Sequence, residues 1–426
     1  MKKIVVASDS FKGSLTSLEV AAGAEQGIHE VFPECEVVKV NVADGGEGTM
    51  DALRSTLGGQ WVTVAAADPL GRPRNVSYVV LGDGNTAVIE MSAASGLPLL
   101  ELQERNPMLT STFGTGEMIV DALSRGCRRF LVGIGGSATN DAGMGMLEAL
   151  GSRFIDKDGK VLPGRGESMS EVVDIDMSHV SREVKESEFI IACDVDSPFC
   201  GPRGAAYVFS PQKGADPQMV AELDAGMEHL AEVIVRTTGK DIRNIPGAGA
   251  AGGLGGAFLA FLNSRLERGI EMVLDAIAFD DIIRGSDLVI TGEGRVDSQT
   301  LTGKTPFGIM KRAQKQNIRT VAIGGSVKLG DDDDVSGFDS IWPVTPEGMP
   351  LEEAMKAETA SANVRETVKK IMLEYKTEGN EECFSCLDRP CTGHRAHYQE
   401  GISGVQPYAG RPCRRSALWN RTCPDC

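Results

Sequence analysis

Four glycine-rich loops of the 426-residue chain hold the side chains best suited to chemistry, and each follows an apolar stretch. Ser8-Asp-Ser-Phe-Lys-Gly-Ser14 offers the Asp9 carboxylate, hydroxyls including that of Ser10, and one amine, Lys12. Asp44-Gly-Gly-Glu-Gly-Thr49 sets two carboxylates on a backbone that can approach a ligand closely. Gly133-Ile-Gly-Gly-Ser-Ala-Thr-Asn-Asp-Ala-Gly143 combines the bare amides of Gly135 and Gly136 with the Ser137 hydroxyl and Asp141. Gly292-Glu-Gly-Arg-Val-Asp-Ser-Gln-Thr-Leu-Thr-Gly-Lys304 adds Glu293, Arg295, Asp297 and Lys304. Unpaired amides at a helix start attract phosphate, lysines beside them neutralise it, and carboxylates in the same cleft hold magnesium. The combination describes phosphate handling.

Each residue also has a plainer reading. A single Asp commonly caps a helix or closes a turn. Gly133-Ile-Gly-Gly-Ser-Ala138 fits a GxGxxA pattern that tight turns produce often, and Ser298-Gln-Thr-Leu-Thr-Gly-Lys-Thr305 misses the P-loop at its first glycine. The six glycines of 247–256 describe either an anion nest or a tight helix entrance, and Lys12, Lys213 and Lys304 either surface lysines or phosphate contacts. None of His29, His179 and His229 falls in a chemical-looking loop, which argues against a histidine-based triad. Placement favours function for the carboxylates. Asp9, Asp44, Asp141 and Asp297 cluster at expected strand ends, where open sheets bind ligands.

The elements that must position these loops follow from hydrophobic patterning. Strands are expected at 4–7, 37–42, 288–291 and 320–323, with helices at 16–31, 50–57, 307–315 and 363–375. This alternation predicts a parallel sheet with helices packed on it. Between the two ends the texture changes. Short strands at 61–66, 78–81 and 87–91, with a hairpin signal at Gly82-Asp-Gly-Asn85, give way to mixed helices and strands up to the long helix at 219–235. One open α/β domain, built from 1–60 and 285–375 and interrupted by an inserted α+β domain over 61–284, is the simplest organisation.

Composition narrows the function. Lys and Arg number 43 against 60 Asp and Glu, and a net charge of −17 repels a phosphate backbone, so nucleic acid is an unexpected partner. No apolar run approaches the span of a bilayer, and the N-terminus lacks the apolar core of a signal peptide. A cytoplasmic enzyme with reduced thiols at Cys35, Cys127, Cys193 and Cys200 is expected.

The four loops, in order and over residues 1 to about 375, resemble the signatures of the bacterial glycerate kinase type 1 family. The resemblance implies a flavodoxin-like domain with a second α/β domain inserted. It also implies ATP-dependent phosphorylation of D-glycerate at the 2-hydroxyl, and it leaves monomer or homodimer open. Roles follow from the chemistry of phosphoryl transfer, which asks for positioning, charge neutralisation and a proton acceptor. Asp194 and Asp44 are the candidate base and magnesium ligand, in either order, with Asp297 as a further ligand. Lys12 and Lys304 are candidate phosphate clamps, joined by Ser10, Gly135, Gly136 and Ser137. Arg72 or Arg295 is expected to hold the glycerate carboxylate, because a planar guanidinium suits a bidentate partner. A glycerate 3-kinase, a non-catalytic organic-acid binder and a Rossmann oxidoreductase are the competing readings.

The tail departs from that family. Residues 377–426 hold six cysteines and two histidines with few regularly spaced apolar residues. Such a segment cannot offset its ordering entropy without a metal or disulfides. A disordered, non-homologous or out-of-frame extension is preferred over a zinc knuckle.

Overall fold

The structure is a computed structural model that describes the backbone of residues 1–46, 48–330 and 332–387. Met1–Lys376 form one compact unit and Thr377–Cys426 a separate one. The three sheets and the functional cleft lie in the first. In chain order its strands are β1 (Lys3–Ser8), β2 (Glu36–Lys39), β3 (Gly59–Ala67), β4 (Pro73–Leu81), β5 (Thr86–Glu90), β6 (Arg129–Gly133) and β7 (Arg153–Ile155). They continue with β8 (Val161–Leu162), β9 (Asp174–Asp176), β10 (Glu188–Ala192), β11 (Ser264–Glu267), β12 (Leu288–Asp297), β13 (Arg319–Lys328) and β14 (Ser340–Pro343).

The first sheet runs β2-β1-β12-β13-β14 and is parallel throughout. Counted within the sheet, that is the order 2-1-3-4-5 of flavodoxin-like folds, with its topological switch point between β1 and β12. The burial explains the arrangement. Ile4, Val5, Val6 and Ala7 are all fully buried, as a strand covered on both faces requires. Ser17–Val31 packs on one face, entered through a capping box in which Thr16 and Glu19 satisfy each other's backbone amides.

The second sheet, β3-β4-β5-β6-β10-β11, is parallel from β5 to β11 and antiparallel at its β3–β4 edge. A small third sheet, β8-β7-β9, lies beyond it. The chain leaves the first sheet before Gly59 and re-enters it at Leu288, against expected breaks near 60 and 285. The two sheets share a core: Val5, Ala7 and Val289 of the first belong to the same apolar cluster as Phe130, Phe189 and Ile191 of the second. The opposite face of the first sheet has its own cluster, closed by Val364, Val368 and Ile371 of the last helix, Ala357–Leu387.

Some elements differ from their expected bounds. Strands β12 and β13 run past Thr291 and Ile323 as a two-stranded extension, so Gly292–Asp297 is strand rather than loop. Paired glycines permit it, since a Cβ on Gly325 would lie 2.6 Å from the Gly294 carbonyl oxygen. Strand β2 stops at Lys39, short of Val42. The last helix continues to Leu387 instead of ending near Tyr375. Strands β9, β11 and β14 carry no clear alternation in sequence. The cysteine- and histidine-rich stretch after 387 lies outside the described residues.

Candidate active site

The loops after β1, β2, β6, β10 and β12 converge on one cleft with two chambers. The larger, about 600 Å³, lies at the β1–β12 switch point. It is lined by Asp9, Ser10, Lys12 and Ser14 from the first loop, and by Glu293, Arg295, Asp297 and Lys304 from the fourth. Its far wall is apolar, with Phe11, Met349, Leu351 and Met355. The smaller, about 420 Å³, is lined by Gly135, Gly136 and Ser137 after β6, Cys193 and Asp194 after β10, and Lys213. Lys12 and Asp44 line both chambers. Their side chains face each other, Lys12 Nζ lying 3.9 Å from Asp44 Oδ2.

Close backbone packing puts Asp44 at that junction. Gly45 has φ +85°, and a Cβ there would lie 2.5 Å from Gly269 Cα and 2.8 Å from Ala192 Cβ. A Cβ on Gly269 would in turn strike the Asp44 carbonyl oxygen. Only glycine admits this contact, which presses the loop after β2 against the ends of the second sheet.

The electrostatics are those of crowded carboxylates. Burial, reinforced by Asp44, pushes the Asp9 carboxyl up to about 6. Its oxygens accept from the Ser10 amide at 2.7 Å and the Thr305 hydroxyl at 3.5 Å. Burial likewise raises Asp194, and the Asp44 charge adds to it, while the Gly269 amide, donating at 3.0 Å, pulls the other way. Burial raises Glu293 against the hydroxyl bond from Thr300. Among the described residues no three such side chains already converge as a metal-holding cluster.

The structure thus gathers Ser10, Lys12, Asp44, Arg295, Asp297 and Lys304 around the larger chamber, and Lys12, Gly135, Gly136, Ser137, Asp44 and Asp194 around the smaller. Arg72 is not among them. It lies in the turn after β3, its guanidinium held by Asp68 at 2.6 Å and by Glu104. Asp141 is absent too: it is fully buried and accepts from the Thr112 amide and hydroxyl and the amides of Gly143 and Gly145, which makes it a structural clasp. The glycines of 247–256 serve close packing, with Gly252 against Thr139 and Gly253 against Ala142. Sequence reasoning gave no role to the Met349–Met355 wall, which carries no motif. Lys213 was indistinguishable from a surface lysine.

A cleft at the switch point of a parallel sheet, with lysines, glycine amides and carboxylates on two adjoining chambers, defines a small-molecule kinase. The sequence pattern described as the Glycerate kinase family matches residues 4–376. The chain is 44% identical over 376 residues to the glycerate kinase of Bacillus subtilis, covering 88% of this chain and 98% of that one. It is 45% identical to the glycerate 2-kinase of Escherichia coli over 361 residues, 83% of this chain and 93% of the other. A crystal structure of glycerate kinase 2 from Salmonella typhimurium superposes with a TM-score of 0.81 at 41% identity, over 89% of this chain and 99% of that one. The chain belongs to the glycerate kinase family.

Proposed function

We propose that this chain transfers the γ-phosphoryl group of ATP to the 2-hydroxyl of D-glycerate. The observation that carries the reading is the pair of chambers joined at Lys12 and Asp44. The larger, with its apolar wall, suits the base and sugar of a nucleotide, and the smaller suits a three-carbon acid. The junction is then where the γ-phosphate and the acceptor hydroxyl meet. Lys12 and Lys304 neutralise phosphate charge from opposite loops, and Arg295 and Ser10 line the same chamber. Asp194, on the wall of the smaller chamber with its carboxyl raised, accepts the hydroxyl proton.

Magnesium fits this donor set. Asp44 and Asp297 offer hard oxygen ligands facing the phosphate chamber, and two carboxylates plus phosphate oxygens are what the ion commonly takes from a protein. When bound it would supply charge neutralisation on the phosphates.

The test is ADP release from ATP with D-glycerate, L-glycerate or hydroxypyruvate, with the phosphorylated position read from the product. ADP formation with D-glycerate and a 2-phospho product is expected. A 3-phospho product would make the chain a glycerate 3-kinase, and binding of glycerate without ADP release would make it a non-catalytic acid-binding protein.

A further inference from the structure

The lining of the acceptor chamber divides by chemistry. Asp44 and Asp194 supply its carboxylates, whereas the Gly135–Ser137 turn, Gln212 and Lys213 supply hydrogen-bond donors. Lys213 is 2% exposed, an unusual position for a lysine, and its Nζ donates to Ser137 Oγ at 2.7 Å and to the Thr139 carbonyl at 2.6 Å. A hydroxyl that accepts from the Lys213 amine keeps its own proton to donate, and Ser137 makes no other side-chain bond among the described residues. The amides of Gly135, Gly136 and Ser137 are likewise unused within the described residues. Gly136 has φ +72°, whereas a Cβ on Gly135 would meet nothing within 4 Å. The turn is thus an open cradle of donors backed by one buried amine.

The cradle is built into the fold. Lys213 closes the short turn Pro211–Lys213, and Gly214 follows at φ +95°, where a Cβ would lie 2.2 Å from the Arg105 carbonyl oxygen. Asp141 acts on Lys213 through its charge, and its carboxylate is already engaged by its own donors.

We propose that the Gly135–Ser137 turn is the anchor for the carboxylate of the acceptor acid, with Lys213 as the positioning residue that turns the Ser137 hydroxyl and the turn's amides toward it. This rests on the assignment of the smaller chamber to the acceptor. The carboxylate then rests on the donors of the turn and the hydroxyls face Asp194 and Asp44. The enzyme prefers a hydroxy acid over a neutral polyol because only the acid satisfies the buried donors. A phosphate group has related chemistry, so the alternative occupant of the turn is the nucleotide's phosphate chain.

The experiment compares wild type with Ser137→Ala, Ser137→Thr, Gly135→Ala and Lys213→Met by steady-state kinetics, varying D-glycerate and ATP separately. Ser137→Ala and Gly135→Ala are expected to raise KM for glycerate by about 10-fold or more, with KM for ATP unchanged and kcat within about 3-fold. Ser137→Thr should restore most of the loss. Lys213→Met should reduce the kcat/KM preference for glycerate over glycerol by about 10-fold. A rise in KM for ATP with KM for glycerate unmoved would overturn the proposal in favour of a phosphate site, and no change in either would overturn it outright. Should Lys213→Met fail to fold, the Ser137 and Gly135 variants decide alone. Wild-type turnover of D-glycerate is the separate control: its failure removes the kinase reading, whereas the ratios between variants bear on the anchor.

Discussion

At the scale of single residues the cleft concentrates carboxylates that the fold alone would not favour. Asp9 shows the cost. Its carboxyl is raised from 3.8 to about 6 by burial and by Asp44, so the folded chain binds this proton more tightly than the unfolded one. The associated stability is full below pH 3.8 and is lost as pH rises through about 6. Asp9→Asn should therefore stabilise the protein by up to about 3 kcal/mol at pH 8, and by roughly half of that at pH 5. Urea denaturation at both pH values, without nucleotide or magnesium, reads the difference, and an equal gain at both would discount the carboxyl. Asp44 and Asp194 separate in another way. Asp44→Asn should lower turnover by about 10-fold or more and recover in part with excess magnesium, because a weakened metal site responds to mass action. Asp194→Asn should lose activity that magnesium does not restore, because the variant lacks the proposed proton acceptor. Recovery of both variants, or of neither, would void the division of roles.

At the scale of elements, helix propensity and packing disagree over Ser17–Val31. Gly23 and Gly27 lie inside this helix, where propensity favours Ala by about 1 kcal/mol. A Cβ on Gly27 would lie 2.4 Å from the Arg365 carbonyl oxygen and 3.0 Å from the Lys369 amide nitrogen, both on the last helix. Backbone cannot yield as a side chain can, so packing wins. Gly27→Ala should cost about 1–3 kcal/mol in chemical denaturation. At Gly23 the nearest atoms are at 3.2 and 3.3 Å, and Gly23→Ala should change stability by less than about 1 kcal/mol. Equal effects would mean that the two helices part more readily than their contacts imply.

At the scale of the whole molecule, the last helix closes the apolar face of the first sheet. Val364, Val368, Ile371 and Met372 are buried there, and the Tyr375 hydroxyl donates to Asp339 at 2.9 Å. The family match ends at residue 376, where the compact unit ends. A chain truncated after Lys376 should keep its kinase activity and melt within about 2 °C of the full-length protein. Truncation before Ala357 removes the cover of that core and should abolish folding. Loss of stability and of bound zinc on the first truncation would instead make the cysteine-rich segment a metal-dependent part of the protein.

Much of this architecture is legible in the residues. The strand–helix alternation at both ends of 1–376, broken by hairpin-rich texture, announces two sheets, because period and turn chemistry are local properties of a chain. The loop motifs announce phosphate chemistry for the same reason: Ser10, Lys12, Asp44, Gly135, Asp297 and Lys304 are recognisable by type and neighbours. Distance across the fold is not local. Arg72 and Arg295 read alike until the fold binds one to Asp68 and Glu104 and turns the other toward the cleft. Asp141 and Asp194 are both Asp near the end of a strand, yet one is a buried clasp and the other lines a chamber. Lys213 gains its meaning from Ser137 and Thr139, more than seventy residues away in sequence. Residue type and spacing therefore determine which chemistry the chain can perform. Only the packing of glycine backbones against one another decides which of those groups meet, because a contact as close as Gly45 on Gly269 depends on two segments that chain order leaves far apart.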